Sequence, residues 1–505
     1  MERQPLSCGA GCQLAAGCQP ASRRFYESRP ARLTTARRIA SGPTELLASL
    51  AIFAALLAWQ LFLPGFIGIA NNGDFAKISG RFCIDSPDRG ADNFRFFVSR
   101  YVRGPDYCWD SEMPSSELAF AGLASVSSRV AGERSGFDIR WLGAFHAAGL
   151  LIAYGIWLRL FRSLTSWRRL FCNLLLILIL GDVGYVSYAN SFYTDTAALI
   201  GAAMMVPAAL LVLRDKQISA GRLILFSAAA IIFAASKAQH ALLGAAAIAV
   251  LLIASKRSRV AASRITAMVC AAAVLGCCAA VIAATPLLYG GQERFDLFFF
   301  KLLPGSADRL ADAKTLGLRE DDVKYSGMHS FMANSPASDQ GWLRDFATRT
   351  GTGAVIRFYA THPRRALEIL RADLEQQAGM RRAGNLSNYR REQGRPPGSL
   401  TERFGYWSAL RTRLFQWWPW HIVIWYGAVL VGLPLLAWRF KRGLQLNLCW
   451  VTVGVALLGV AEFCVASLAD SIETYRHLLL FHLFTDFTVL LVTVICVLAR
   501  AAVEI

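Results

Sequence analysis

Asp74 is the first residue whose setting suggests chemistry. It stands in Gly68-Ile69-Ala70-Asn71-Asn72-Gly73-Asp74-Phe75-Ala76-Lys77, directly after an apolar run. Asn-Gly-Asp is turn chemistry, and a solvated turn is the plain reading. Two Asn, a Gly and an Asp wedged between apolar residues also describe a held carboxylate. Such a group can take a proton from a hydroxyl.

Three other short stretches carry matching groups. Tyr193-Thr194-Asp195-Thr196 places an acid at the head of another apolar run, where Thr194 or Asp195 also suits a helix N-cap. Lys237 and His240 sit at a turn between two apolar runs, where a Lys either snorkels to water or holds a phosphate as a point charge. Asp470-Ser471-Ile472-Glu473-Thr474-Tyr475-Arg476-His477 opens the last apolar run. Arg476 and His477 read as a phosphate clamp at a helix start, or as a salt-bridged cap with Glu462, Glu473 or Asp486 as partners. His482 and Asp486 continue down that run at four-residue spacing, and Asp182 is a lone acid inside an earlier one. Carboxylates plus cationic phosphate binders are what moving a sugar off a lipid phosphate requires.

The elements that position these groups follow from composition. Of 505 residues, 55% are hydrophobic and 17% charged, against about 45–50% and about 25% in soluble domains. That excludes a soluble globular protein, a disordered chain and a disulfide scaffold. The expected fold is an all-α polytopic membrane protein with about ten transmembrane helices, at 46–69, 141–161, 170–189, 195–213, 223–236, 239–254, 265–288, 418–438, 444–466 and 478–498. The fifth and sixth are short and run together around Lys237. With the N-terminus inside, the cytoplasmic segments carry 22 Lys and Arg against 5 Asp and Glu. Both termini are then cytoplasmic, and the net charge of +18 is a loop bias rather than a sign of nucleic acid. Asp74, Asp195, Lys237 and Arg476 all fall at outer ends of spans.

The expected organisation is a disordered tail at 1–45, an N-terminal membrane module at 46–289 with a first outer loop at 71–139, an outer segment at 290–417, and a C-terminal membrane module at 418–505. The tail cysteines Cys8, Cys12 and Cys18 lack a fourth metal ligand nearby. Cys83 and Cys108, alone in the outer loop, invite a disulfide. Residues after Pro363 (Ala366, Leu367, Ile369, Leu370 against Arg) read as a helix on the membrane surface. Arg381, Arg382, Arg390, Arg391 and Arg395 follow, facing headgroups or an anionic substrate. Trp417, Trp418, Trp420 and Trp425 form an interfacial belt.

This pattern resembles the membrane glycosyltransferases of superfamily C. The carrying residues are Asp74 just past the first span, Tyr193-Thr194-Asp195-Thr196, Lys237-Ala238-Gln239, His362-Pro363 and Glu473-Thr474-Tyr475-Arg476-His477. They are most similar to a bacterial group of hexose transferases of cell-surface glycan synthesis. The resemblance implies a multi-pass enzyme of the bacterial inner membrane with its active site on the periplasmic face. It implies a polyprenyl-phosphate sugar donor, a glycan or lipid acceptor, and inversion at the sugar. Asp74 would be the base. Asn72, Tyr193, Asp195, Lys237, His240, Glu473, Arg476 and His477 would bind substrate. A single acid at the first-loop motif, rather than a pair, leaves a divalent metal open. The rival expectations are a transporter or flippase of lipid-linked glycans, using Asp182 and Asp486 as a charged path, and a polymerase or ligase relying on the loop arginines.

Overall fold

Apolar runs become helices because a chain in hydrocarbon must satisfy its own backbone N–H and C=O groups. A computed structural model describes residues 43–88, 92–109, 113–214, 218–379, 386–438 and 444–503. The tail cysteines, Arg381, Arg382 and residues 439–443 lie outside the described residues.

The chain enters through α1 (Pro43–Leu61). The first large loop follows and includes α2 (Glu117–Val130). Then come α3 (Arg140–Phe161), α4 (Ser166–Leu180) and the short α5 (Val183–Val186). Next are α6 (Thr194–Arg214), α7 (Ala220–Ala234), α8 (Ala238–Arg257) and α9 (Ala261–Ala283). The second large segment begins with α10 (Leu287–Phe295) and includes α11 (Pro363–Gln376). It ends in α12 (Tyr406–Trp417), which leads into α13 (His421–Ala437). The chain closes with α14 (Leu444–Leu468), the one-turn α15 (Thr474–His477) and α16 (Leu479–Val503).

Among the described residues seven of these helices are long and apolar enough to cross a membrane, and nine spans result if each of two bent pairs counts as one. The bent pairs correct two of the expected straight spans. The run at 170–189 breaks at Gly181-Asp182 and turns by 45°, and the one expected at 418–438 is preceded by α12 at 102°. The expected fifth span is α7, with 15 residues. At about 1.5 Å per residue it covers only about 22 Å of a core about 30 Å thick.

The all-helical expectation misses a three-stranded antiparallel sheet, β1 (Ile84–Asp85), β2 (Arg100–Arg103) and β3 (Gly136–Asp138), within the first loop. Ile84 faces Arg103, and Tyr101 faces Phe137. These strands are too short for alternation to show in the sequence. A disulfide joins Cys83 to Cys108 beside them.

Lipid tails are as apolar as Leu, so close packing rather than water exclusion holds the helices together. α6 is central: 94% of its apolar window is buried within the protein, against 22% for α1. Its Ala197, Ala198, Gly201, Ala202 and Ala203 keep its surface flat. A Cβ on Gly201 would lie 2.5 Å from the Phe233 backbone nitrogen, so α6 and α7 meet backbone to backbone. The second large segment has its own core of Phe295, Phe298, Phe299, Leu316 and Phe346. In α11 the apolar side turns inward through Ile369 and Leu374, leaving Leu367 exposed.

Candidate active site

Arg476 is the hub of the site. Its Nη2 donates to Asp74 Oδ2 at 2.8 Å, its Nε to Glu473 Oε2 at 3.0 Å, and its Nη1 approaches Asp195 Oδ2 at 3.5 Å. Its guanidinium also lies over the Tyr193 ring, 5.1 Å from the centroid. Two lysines complete the array. Lys77 Nζ donates to Asp74 Oδ1 at 2.6 Å, and Lys237 Nζ to Asp195 Oδ1 at 2.7 Å. Asn72 Nδ2 donates to Glu473 Oε2 at 2.7 Å. The expected residues Asn72, Asp74, Tyr193, Asp195, Lys237, Glu473 and Arg476 are thus brought together from four parts of the chain.

Local structure explains how each is presented. The segment before Asp74 is extended and pinned: Asn190 Nδ2 donates to Leu61 O and Ile67 O, Asn388 Nδ2 to Gly68 O, and Ala70 N to Ser387 O. Tyr193 Oη donates to Ala70 O at 3.0 Å and accepts from Asn72 N at 3.0 Å. Gly73 then turns at φ +106°, in the left-handed region that favours glycine. Asn71 Oδ1 and Asn72 Oδ1 accept from the Gly73 and Asp74 backbone, so the Asn pair builds an Asx turn around the acid. Asp195 sits in the first turn of α6. Glu473 adopts φ +57°, rare for a side-chain-bearing residue, and is held there by Asn72 and Arg476.

The electrostatics follow from burial and proximity. Burial pushes the Asp74 carboxyl up, but Arg476 and then Lys77 pull harder, so it lies well below the usual carboxylate range. The Asp74 side chain is 26% exposed, the Asp195 side chain only 5%. Asp74 is therefore the partly exposed acid of the cluster and Asp195 the buried one. The acids around Arg476 outweigh its burial and hold it protonated.

His477 joins the edge of this hub. Its Nε2 pairs with Asp470 Oδ2 at 2.8 Å and lies 3.2 Å from Arg476 Nη2. Burial raises Asp470, yet His477 and the Ser471 backbone keep it below the ordinary value. Arg476 and His477 lie in α15, a four-residue turn separated from the start of α16 by Leu478 alone. His240 is buried behind Lys237: its ring stacks on Phe233, its Nδ1 meets Ser236 Oγ at 2.7 Å, and its Nε2 is 3.4 Å from Glu462 Oε1. His240 is thus buried within the protein, one turn from Lys237. Glu462 serves His240, not Arg476. Asp486 accepts from Tyr185 Oη at 2.6 Å and pairs with Arg411 at 3.6 Å.

Sequence reasoning missed α10. Tyr289 lies under Lys77, 4.6 Å from ring centroid to Nζ. Glu293, one turn on, is raised by burial and by Asp470. A second omission is Glu117 at the start of α2, fully buried and 2.9 Å from His146 of α3. Each lies in a short polar stretch, Ser115-Ser116-Glu117 and Gln292-Glu293-Arg294, which in the sequence reads as ordinary loop or helix-start chemistry. Among the described residues no three His, Cys, Asp or Glu side chains group as a metal site. The carboxylates here are met by cations instead.

Apolar helices around a polar, ion-paired end make this a multi-pass membrane protein. The chain belongs to the family of the YfdI N-terminal transmembrane domain, whose model matches residues 33–504. No curated protein and no solved structure matches it.

Proposed function

We propose that this protein is a glycosyltransferase of the superfamily C type that moves a sugar from a polyprenyl-phosphate donor to a glycan or lipid acceptor at the outer face of the bacterial inner membrane. The observation that carries the reading is Arg476 joined to Asp74, Asp195 and Glu473, with Lys77 and Lys237 on the flanking acids. Membership of a glycosyltransferase-like membrane family supports it.

The chemistry balances as follows. The acceptor hydroxyl loses its proton to the Asp74 carboxylate while its oxygen attacks the anomeric carbon. The bond from that carbon to the phosphate oxygen breaks on the opposite side, and its electron pair leaves with the polyprenyl phosphate. The sugar inverts. Arg476, Lys77 and Lys237 stabilise the charge gathering on the phosphate. A carboxylate held far below its usual range is a weak base. Donor phosphate competing for Arg476 and Lys77 removes that restraint, so Asp74 gains basicity as the donor binds. No step here is routed through a metal.

No observation favours the rival readings. Asp182 accepts from the Ser408 amide and hydroxyl, and Asp486 is engaged by Tyr185 and Arg411, so both acids tie helices together. Arg390 and Arg395 lie over the rings of Phe66 and Tyr389.

The test is Asp74→Asn in purified, reconstituted protein given polyprenyl-phosphate sugar and an envelope extract. Loss of a general base lowers transfer by about 10²–10⁴-fold, with the protein still folded. Product mass spectrometry reads the outcome, and full transfer by the variant overturns the assignment.

A further inference from the structure

α12 has an unusual place. It precedes α13, an apolar segment, at an angle of 102°, so it runs across the direction of that span. Its residues divide by face. Trp407, Ser408, Arg411 and Phe415 are buried, whereas Tyr406 (71%), Leu410 (49%), Leu414 (40%) and Trp417 (81%) are exposed. The exposed four recur at spacings of four, four and three, which puts them on one helical stripe. Exposed Arg413 borders the stripe, and Gln416 lies further round, toward the polar side. Trp418 and Trp420 continue the aromatic edge into α13.

The buried side is polar where it meets the elements that carry the site. Ser408 donates its amide to Asp182 Oδ2 at 2.8 Å, and its hydroxyl to Asp182 Oδ1. Asp182 caps α5, which leads through a single 3₁₀ turn to Tyr193 and Asp195. Arg411 reaches Asp486 of α16, the helix that follows Arg476 and His477.

We propose that α12 docks on the bilayer surface, with Tyr406, Leu410, Leu414 and Trp417 sunk among the acyl chains and Arg413 at the headgroups, while Ser408 and Arg411 fasten the two elements that present the site. Three features select lipid as the occupant. The stripe is continuous with the apolar surface of a span, a helix at that angle to a span lies in the membrane plane, and Trp and Tyr mark its ends as they do at membrane interfaces. An Arg beside such a stripe snorkels to anionic headgroups. This differs from the sequence expectation, which put the surface helix at 363–370. There Ile369 is buried while Leu367 is exposed.

The test is nitroxide accessibility in the full chain, reconstituted in nanodiscs of phosphatidylcholine and phosphatidylglycerol. Leu410→Cys, Leu414→Cys and Gln416→Cys are labelled one at a time, with the unpaired cysteines replaced by serine. At 410 and 414 collisions with oxygen should exceed those with a water-soluble nickel chelate severalfold, and at 416 the order should reverse. Nickel access at 410 and 414 equal to that at 416 overturns the proposal, because the helix then stands in water. Low access to both reagents at 410 and 414 also overturns it, since protein then covers the stripe. The readout needs no sugar transfer, so it stands or falls separately from the enzymatic reading.

Discussion

At the scale of single residues, Arg476 does what no other cation in the cluster can. Its planar fork meets three carboxylates at once, at 2.8, 3.0 and 3.5 Å. A lysine keeps the charge but offers one point of contact. Each charge-assisted hydrogen bond is worth about 1.5–3 kcal/mol. Arg476→Lys should therefore lower the unfolding temperature, though by less than Arg476→Ala because the buried acids still have a cation, and should lower kcat/KM on the order of 100-fold by removing a donor fixed in place for the phosphate. Unchanged kcat/KM would separate the fork from function. Asp296 gives a pH test away from the hub. Burial pushes its carboxyl up to about 6, despite bonds from the Ser330 amide and hydroxyl. A raised carboxyl adds stability fully present below about pH 4 and lost as pH rises through about 6, a swing of about 3 kcal/mol in all. About 1.4 kcal/mol of it returns between pH 7.5 and pH 5. Asp296→Asn should lose this pH-dependent share, so wild type gains on the variant at pH 5. Equal gaps in melting temperature at both pH values would refute it.

At the scale of elements, the site depends on irregular pieces held in place by the regular ones. The extended run up to Asp74 is clamped by Asn190 from one side and by Ser387 and Asn388 from another. The disulfide from Cys83 to Cys108 closes the loop that carries β1 and β2. Closing a loop of separation 25 removes unfolded-state entropy worth about 3 kcal/mol in the chain-entropy model. The paired Cys83→Ser and Cys108→Ser variant should melt earlier and be cut in the first loop at lower protease doses, with the spans intact. Wild-type resistance to protease would show that the sheet alone holds the loop. The local signals were legible here to different degrees. Asn71, Asn72 and Gly73 announce the turn because their types allow few other conformations. The break in the third span and the sharp entry to α13 were marked in the sequence by Gly181-Asp182 and by Pro419, but neither the bend angles nor the partners that fix them follow from local residue types. Asp182 looks like a stray acid until Ser408, far along the chain, supplies its partner.

At the scale of the whole molecule, ion pairs decide which ends of the spans lie together. Asp74 and Arg476 are 402 positions apart, and no local pattern links them. What made the grouping legible was the excess of Lys and Arg in every second short loop, which puts both at the same end of the bundle. What stayed illegible was the pairing itself: Lys77 to Asp74, Asn72 to Glu473, Asp470 to His477. α7 is too short to span by length alone, but contacts at its two ends place it against α6. At one end Lys237, just past α7, meets Asp195 at the start of α6, 2.7 Å away. At the other end Arg222, near the start of α7, donates to Leu211 O near the end of α6 at 3.1 Å. α7 therefore runs back along the whole of α6, its flanking residues completing the passage. Every return of the chain is then matched, and the loop at 258–260 lies on the side opposite to Asp74. The expected outcome is ten crossings with both tails cytoplasmic. An impermeant maleimide applied to intact cells should label Phe331→Cys, on the long segment, and spare Arg259→Cys until the membrane is opened. Labelling of Arg259→Cys in intact cells would mean that α7 does not cross, and that the shared face of Asp74, Asp195, Lys237 and Arg476 needs another explanation.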